Sequence, residues 1–126
     1  MENSKKKILV VDDDSDLNTV LVDKLNFSGF EAFGAEDGVD GLQKALELHP
    51  DVILLDLVMP KMGGLEMLKM LRKDEWGKGV KVIILTLLEK VDYVADAVEN
   101  NVHDYIVKTG HSLDEIVTRV NELVNK

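Results

Sequence analysis

Ile-Leu-Val-Val-Asp-Asp-Asp, at residues 8–14, carries the clearest structural signal in this chain, and Val-Ile-Leu-Leu-Asp, at residues 52–56, repeats it. A short apolar run that ends in acid is typical of a buried strand whose carboxyl end meets water. If the two strands are neighbours, Asp12, Asp13 and Asp56 converge at the edge where open parallel sheets bind ligands. Two carboxylates about 4 Å apart repel by roughly 4 kcal/mol at an effective dielectric constant of about 20. The cluster therefore predicts a divalent metal, and with it phosphate or carboxylate chemistry.

Apolar runs and helical segments alternate along the rest of the chain. Strands are predicted near residues 7–12, 30–34, 51–56, 80–85 and 104–107. The helical segments between and after them have these apolar stripes: Leu17, Val20, Leu21 and Leu25; Val39, Leu42, Ala45 and Leu46; Leu65, Leu68 and Leu71; Val91, Val94, Ala95 and Val98; and Leu113, Ile116, Val117, Val120, Leu123 and Val124. Short strand–helix connections indicate parallel strands joined by right-handed crossovers. The pattern predicts an α/β three-layer sandwich of five strands and five helices.

The predicted helix ends are marked by residues with capping chemistry. They are Asp14 or Ser15, Asp37, and Ser112 with Glu115 as a capping box at helix starts, and Gly29 and Pro50 at helix ends. No repeat, low-complexity tract or linker interrupts the pattern, so one domain over residues 1–126 is expected.

Composition excludes several classes of function. The chain has 126 residues, a formal net charge of −9 and no cysteine, so disulfide and thiolate chemistry are excluded. No basic patch of the kind that nucleic-acid binding requires is visible, and Lys5, Lys6 and Lys7 form only a solvated flank. No apolar stretch is long enough to span a membrane, and no signal peptide precedes the first strand. A cytoplasmic protein is expected.

Three residues near the ends of the later strands are further candidates for the site. The Thr86 hydroxyl could hydrogen-bond an anion beside Asp56, and Lys108 could neutralise the acidic cluster and bind a phosphoryl oxygen. Tyr105 is ordinarily a half-buried strand aromatic. The three histidines, His49, His103 and His111, show no metal-ligand spacing and are expected at the surface.

These residues together resemble the receiver domain of two-component response regulators. The matching pieces are Ile8 to Asp13, Asp56 with Met59, Pro60, Lys61, Met62 and Gly64, then Thr86, then Asp104 to Lys108. They occur in the family's order and at its spacings over nearly the whole chain. The resemblance implies a flavodoxin-like fold with the strand order 2-1-3-4-5.

The resemblance also implies a mechanism. Asp56 would accept a phosphoryl group from a histidine kinase or a histidine phosphotransfer protein, with Lys108 neutralising the phosphoryl oxygens. Mg²⁺ would be held directly by Asp13 and Asp56, through water by Asp12, and by the backbone carbonyl of Val58. These groups would make the domain a catalyst only of its own phosphorylation and dephosphorylation.

The family's output is a conformational switch. Thr86 would turn toward the phosphoryl group and Tyr105 would follow it. A downstream effector would then read the face made by the fourth helix, the fifth strand and the last helix. Direct contact with nucleic acid or membrane is not expected, and the chain is expected to be a monomer or a weak dimer.

Three departures from the family pattern affect the switch. Thr109 replaces the usual proline after Lys108, so a trans peptide bond is expected there because a non-proline cis bond costs about 2.5–4 kcal/mol. Leu87 replaces a small residue and is expected to shield Asp56; the alternative is that it points outward and packs on the fourth helix with Val91. Asn101 and Val102 replace small residues before the last strand.

Three other interpretations fit part of the pattern. A haloacid-dehalogenase-like phosphatase would use Asp12 as nucleophile and Asp14 as acid, but it leaves Asp56 without a task. An EF-hand-like calcium loop would use Asp12, Asp14, Asp16 and Asp23, but it lacks the required glycine and follows a strand. A degenerate receiver that acts only as a binding module is disfavoured because the site residues are present.

Overall fold

The computed structural model describes residues 5–86, 102, 104–108 and 112–125. Its elements, in chain order, are β1 (Lys7–Val11), α1 (Ser15–Phe27), β2 (Glu31–Ala35), α2 (Gly38–Leu48), β3 (Val52–Asp56), α3 (Gly64–Lys73), β4 (Lys81–Thr86), β5 (Asp104–Val107) and α4 (Leu113–Val124). All five predicted strands are confirmed. The described residues contain four helices, and the predicted helix around residues 91–98 lies outside them.

The strands form one parallel sheet in the order β2-β1-β3-β4-β5, as expected. β1 pairs with both β2 and β3, and every residue of β3 is buried. A strand buried on both faces is expected to be continuously apolar, as the Val-Ile-Leu-Leu run is. The central position of β1 and β3 brings the two acid-terminated strands side by side.

Two apolar clusters cover the two faces of the sheet, which confirms the three-layer architecture. One cluster joins the strand residues on one face of the sheet to α2 and α3, and it includes Leu9, Ile53, Ile84, Ala45 and Leu68. The other joins the opposite strand faces to α1 and α4, and it includes Ile8, Leu54, Ile83, Leu21 and Val120. No helix among the described residues has the length and apolar character that crossing a bilayer requires.

Most predicted caps are confirmed. Asp14 and Asp37 cap α1 and α2 through their side chains, and Ser112 and Glu115 form the complete capping box of α4. Gly29 has a φ of 100°, the left-handed conformation that favours glycine after a helix end. α2 stops at Leu48 because His49 adopts a left-handed conformation just before Pro50.

The buried faces of α1 and α2 differ in part from the predicted stripes. Val20, Val39 and Leu46 are exposed, whereas α1 buries Asn18 with Leu21 and Leu25. α2 fully buries Ala45, as predicted, together with Gly38 and Gly41, and its predicted Leu42 packs against the core only in part. The small residues allow the helix axis to approach the sheet, since a Cβ on Gly41 would lie 2.8 Å from Val11 Cγ1. Val39 and Leu46 of α2 are left exposed.

Candidate functional site

The carboxyl ends of β1 and β3 bring the three predicted aspartates together. Val11 pairs with Leu55, so Asp12 and Asp56 follow at the same level of neighbouring strands. Asp12, Asp13 and Asp56 each offer one carboxylate oxygen within a group whose atoms all lie within 4.8 Å of one another. This is the group of possible metal ligands within the part of the chain that the structure describes. The predicted convergence is confirmed.

The three carboxylates differ in burial. Asp12 is fully buried, Asp56 is 6% exposed, and Asp13 faces solvent. Oδ1 of Asp12 accepts a hydrogen bond of 2.9 Å from the backbone N–H of Asp14. Its buried Oδ2 accepts no hydrogen bond of good geometry from the described residues, although the Lys108 ammonium balances its charge at 2.9 Å. The site thus has an exposed entrance at Asp13 and a buried floor at Asp12.

Lys108 extends from the end of β5 over this floor. Its Nζ lies 2.9 Å from Oδ2 of Asp12 and 3.4 Å from Oδ2 of Asp56, and its side chain is only 15% exposed. Because β4 separates β5 from β3, the lysine stem has to reach past the end of β4 to make these contacts. The expectation that Lys108 leans over the acidic cluster is confirmed.

The protonation equilibria of the site follow from its burial. Burial raises the pKa of Asp12, and the Asp14 N–H and Lys108 only partly oppose that effect. Burial, then the charge of Asp12, raises the pKa of Asp56 to about 6, against the opposing effects of Lys108 and the Val58 N–H. Burial acts to lower the pKa of Lys108, but its contacts with Asp12 and Asp56 outweigh burial, and the net shift is upward.

The donor set fits a hard divalent cation. Three carboxylates face one ammonium, so two negative charges are left without a partner inside the group. All the donors are oxygens, which are the ligands that Mg²⁺ and Ca²⁺ take, and no nitrogen or sulfur donor from the described residues joins the group. The exposed Asp13 leaves room for the waters that Mg²⁺ retains.

The structure places the remaining predicted site residues as far as it describes them. The backbone of Thr86 ends β4 opposite Val107, but its side chain lies outside the described part. The Val58 N–H lies near enough to the Asp56 carboxylate to act against the rise in its pKa, so the residue whose carbonyl is a predicted ligand lies beside the cluster. Tyr105 is 52% exposed on β5.

Several other sequence predictions can be placed or set aside. His49 is exposed, as expected, and it stacks on Trp76 with a ring-centroid distance of 4.3 Å. Val102 is partly buried against the α2–α3 side of the core. The predictions for His103 and His111, and for Leu87, Asn101 and Thr109, fall on residues outside the described ranges.

Asn18 supports the backbone beneath the acidic cluster, and the apolar pattern of the sequence did not predict this role. Its buried Nδ2 donates to the carbonyls of Asp12 at 3.0 Å and Ala35 at 2.8 Å, with a longer contact of 3.4 Å to that of Val10. Gly34 makes room for this amide, since a Cβ there would overlap Asn18 Oδ1. The available signal was the spacing of Asn18 from Leu21 and Leu25, which places a polar side chain on the buried face.

The structure disfavours the two rival metal or phosphate sites. In the phosphatase interpretation Asp14 is the acid, but Oδ1 of Asp14 caps α1 by accepting from the Leu17 N–H. In the EF-hand interpretation Asp16 and Asp23 are ligands, but both belong to the regular helix α1. Neither of them joins the carboxylate group found among the described residues.

Comparison with known proteins defines the class. The family model of the response regulator receiver domain matches residues 8–121. The chain belongs to this family, and it is therefore a signalling domain of the two-component type. The predicted family is confirmed.

Curated relatives include transcriptional regulators. The chain is 37% identical over 120 residues to the DNA-binding response regulator MtrA of Mycobacterium tuberculosis, covering 95% of this chain and 51% of that protein. It is 31% identical over 120 residues to the DNA-binding dual master transcriptional regulator RpaA of Synechocystis, covering 95% of this chain and 49% of that protein. The chain thus spans about half the length of these relatives.

Solved structures agree with the fold. The receiver domain of the Francisella response regulator 1452 superposes with a TM-score of 0.84 at 31% identity, covering 96% of this chain and 98% of that one. A DNA-binding response regulator of the LuxR family from Staphylococcus aureus superposes with a TM-score of 0.85 at 32% identity, covering 95% of this chain and 99% of that one.

Proposed function

We propose that Asp56 accepts a phosphoryl group and that the resulting aspartyl phosphate switches this domain between two signalling states. The observation that carries the proposal is the position of Lys108, whose ammonium lies 2.9 Å from Asp12 and 3.4 Å from Asp56. A fixed cation beside a nucleophilic carboxylate stabilises the charge that develops on transferring phosphoryl oxygens. Family membership and the adjacent acidic group support the same role.

The chemical step is an in-line displacement. A carboxylate oxygen of Asp56 attacks the phosphorus of a phosphohistidine, the P–O bond forms, and the P–N bond breaks with its electron pair leaving on the imidazole nitrogen. With a pKa of about 6, Asp56 is mostly ionised at neutral pH and is ready to attack. Lys108 keeps its proton, because its pKa is raised, and it pairs with a phosphoryl oxygen.

Mg²⁺ is the proposed cofactor. Asp13 and Asp56 would be direct ligands, Asp12 would act through water, and the Val58 carbonyl would supply a further oxygen. When bound, the ion supplies charge neutralisation for the phosphoryl oxygens. The supporting observations are the oxygen-only donor set and its surplus of negative charge.

The proposed activity is limited to the domain's own phosphoryl group. Water attacks the aspartyl phosphate, the P–O bond to Asp56 breaks, and inorganic phosphate leaves. The domain would then be a signalling protein that catalyses only its own phosphorylation and dephosphorylation, and not an enzyme with an external substrate. We propose that residues 1–126 act as one receiver unit in this cycle.

The effector would read the face that the sequence predicts for the fourth helix, around residues 91–98, together with β5 and α4. Thr86 would turn toward the phosphoryl group, and Tyr105, which is 52% exposed on β5, would change its packing. Switching is a population shift, so phosphorylation must stabilise one state more than the other. Amide exchange should therefore change more across residues 104–108 and 112–125 than across residues 31–48, and an equal change in both would contradict this face.

The proposed partners follow from this cycle. The donor is a histidine kinase or a histidine phosphotransfer protein, whose phosphoryl group comes from ATP, so the proposal also places the domain in the cytoplasm. The effector is a separate protein or an output domain of the kind that the named DNA-binding relatives contain. Direct binding of the domain to nucleic acid or membrane is not proposed, because its net charge is −9. Free in solution, the domain would be a monomer or a weak dimer.

Intact-mass spectrometry tests the phosphoacceptor. Incubation with Mg²⁺ and acetyl phosphate should add one base-labile phosphoryl group to the wild type and none to Asp56→Asn. Asp51→Asn, which alters an exposed aspartate just before the other end of β3, is the matched control and should react like the wild type. A phosphoryl group found on Asp12 would instead support the phosphatase interpretation.

A further inference from the structure

The N-terminus of α2 contacts the loop that follows Asp56. This loop, residues 57–63 and here called the site loop, joins β3 to α3. The backbone N–H of Gly38 donates a hydrogen bond of 2.9 Å to the carbonyl of Met62. Gly38 is the first residue of α2, so its N–H is one of the donors that a helix leaves without an internal partner. The site loop supplies the missing acceptor.

This contact requires glycine at position 38. A Cβ built on Gly38 would overlap the carbonyl oxygen of Met62 and would lie 2.8 Å from Met62 Cγ. Real Cβ atoms do not approach backbone atoms so closely, so any side chain would force α2 and the site loop apart. The absence of a side chain is therefore part of the contact.

The preceding residues strengthen the contact. Asp37 caps α2 by accepting from the Asp40 N–H through Oδ1, while its Oδ2 lies 3.5 Å from Lys61 Nζ. Lys61 has a φ of 65°, a left-handed conformation that a residue with a side chain keeps only where its surroundings impose it. The Met62–Gly38 hydrogen bond comes directly after Lys61 and, with the Asp37 pair, supplies that constraint.

The other part of the site loop is fastened to the acidic cluster. The Val58 N–H lies near enough to the Asp56 carboxylate to act against the rise in its pKa. The Gly64 N–H donates to the Leu57 carbonyl at 2.9 Å. Gly64 also permits a close approach, since a Cβ there would overlap the Asp56 carbonyl oxygen. The site loop is thus attached to the phosphoacceptor at one end and to α2 at the other. Its geometry next to the cluster depends on both attachments.

We propose that Gly38 is a positioning residue for the metal and phosphoryl site. It acts through the site loop: the Gly38–Met62 hydrogen bond sets the path of residues 57–63 and so holds the Val58 backbone beside Asp56. This inference rests on the proposed function, because Val58 matters only if the cluster binds a cation. Residues that orient metal ligands contribute to affinity without touching the metal.

The test is the affinity for Mg²⁺ measured by titration calorimetry. Gly38→Ala should raise the Mg²⁺ dissociation constant roughly tenfold, the lower end of the effect known for outer-shell partners. Gly79→Ala is the matched control because a Cβ at Gly79 meets nothing within 4 Å. Phosphorylation of Gly38→Ala by acetyl phosphate should be slow at limiting Mg²⁺ and should recover at saturating Mg²⁺, a rescue that general damage to the fold would not show.

The outcomes separate this inference from the proposed function. If the wild type binds no Mg²⁺, both fail. If the wild type binds Mg²⁺ and Gly38→Ala binds it as tightly as Gly79→Ala does, the positioning role alone is wrong.

A measurement on the wild type decides the question if Gly38→Ala does not fold. Coupling between two sites is reciprocal, so Mg²⁺ saturation should increase the hydrogen-exchange protection of the Gly38 N–H. The Gly29 N–H, which donates to Asn26 at 3.2 Å at the far end of α1, should show no such change. Equal protection of Gly38 with and without Mg²⁺ would overturn the proposal.

Discussion

The ammonium of Lys108 lies 2.9 Å from a carboxylate oxygen of Asp12 that is fully buried and that accepts no well-formed hydrogen bond from the described residues. A buried carboxylate without a partner is costly, and losing one partner of a buried pair leaves the other charge uncompensated. Lys108 therefore supports the folded state of the site as well as its proposed chemistry. The two roles can be measured separately.

Lys108→Met should slow phosphorylation by acetyl phosphate roughly 100-fold, as expected when one preorganised donor to a transition state is removed. The methionine keeps most of the stem but removes the charge. Lys78→Met is the control, because Lys78 is an exposed lysine that pairs locally with Glu75 at 3.0 Å. The rates are followed by intact mass at saturating Mg²⁺. Equal phosphorylation rates in the two variants would show that Lys108 does not take part in phosphoryl transfer.

Mg²⁺ should stabilise the wild type, because it binds the folded carboxylate group and not the unfolded chain. At ten times its dissociation constant the gain is about 1.4 kcal/mol, visible as a higher melting temperature. Asp13→Asn should lose this gain and should melt higher than the wild type in EDTA, because one of the repelling charges is gone. A melting temperature of the wild type that does not respond to millimolar Mg²⁺ would contradict the metal site.

The stability of the metal-free protein should fall as the pH rises from about 4 to about 7. The pKa of Asp56 in the folded state is raised to about 6, so the folded state binds the proton more tightly than the unfolded state does. Its contribution is therefore fully present below the ordinary pKa of about 3.9 and is lost as the pH rises through about 6.

Urea unfolding in EDTA measures this dependence. The free energy of unfolding of Asp56→Asn, relative to the wild type, should increase by about 1–2 kcal/mol across this pH range, after allowance for solvent screening. Asp51→Asn provides the comparison at an exposed position. If the difference in the free energy of unfolding between Asp56→Asn and the wild type stays constant with pH, the pKa of Asp56 is not raised in the folded state.

Asn18→Leu should destabilise the protein by about 1–3 kcal/mol, because it removes the amide that serves the carbonyls of Asp12 and Ala35 and leaves buried acceptors less satisfied. Leucine has the same number of side-chain heavy atoms and the same branching at Cγ, and it removes both the donor and the acceptor of the amide. Thr19→Ala, at the next and exposed position of α1, should change the free energy of unfolding little. Similar losses in both variants, measured by urea unfolding, would argue against the role given to Asn18.

Strands and acid-terminated ends were readable from local patterns. The runs before Asp12 and Asp56 are continuously apolar because both strands are buried on both faces, and parallel strands bring such ends to one edge. The helix caps at Asp14, Asp37 and Ser112 could also be predicted from the sequence, because a capping side chain bonds a backbone N–H only a few residues away.

Contacts between distant segments depended on the tertiary structure. The buried face of α2 consists of Gly38, Gly41 and Ala45, and hydrophobic periodicity does not register a glycine that packs by having no side chain. Asn18 is buried because backbone carbonyls at and beyond the ends of β1 and β2 need a donor, a need that arises only after these strands are paired. The Gly38–Met62 hydrogen bond likewise exists only once α2 and the site loop lie side by side. The sequence alone thus determined which carboxylates and which lysine form the site, because each lies at or just after the end of a strand that a local pattern predicts. The contacts that hold these side chains in place join segments far apart in the sequence, so only the tertiary structure decided them.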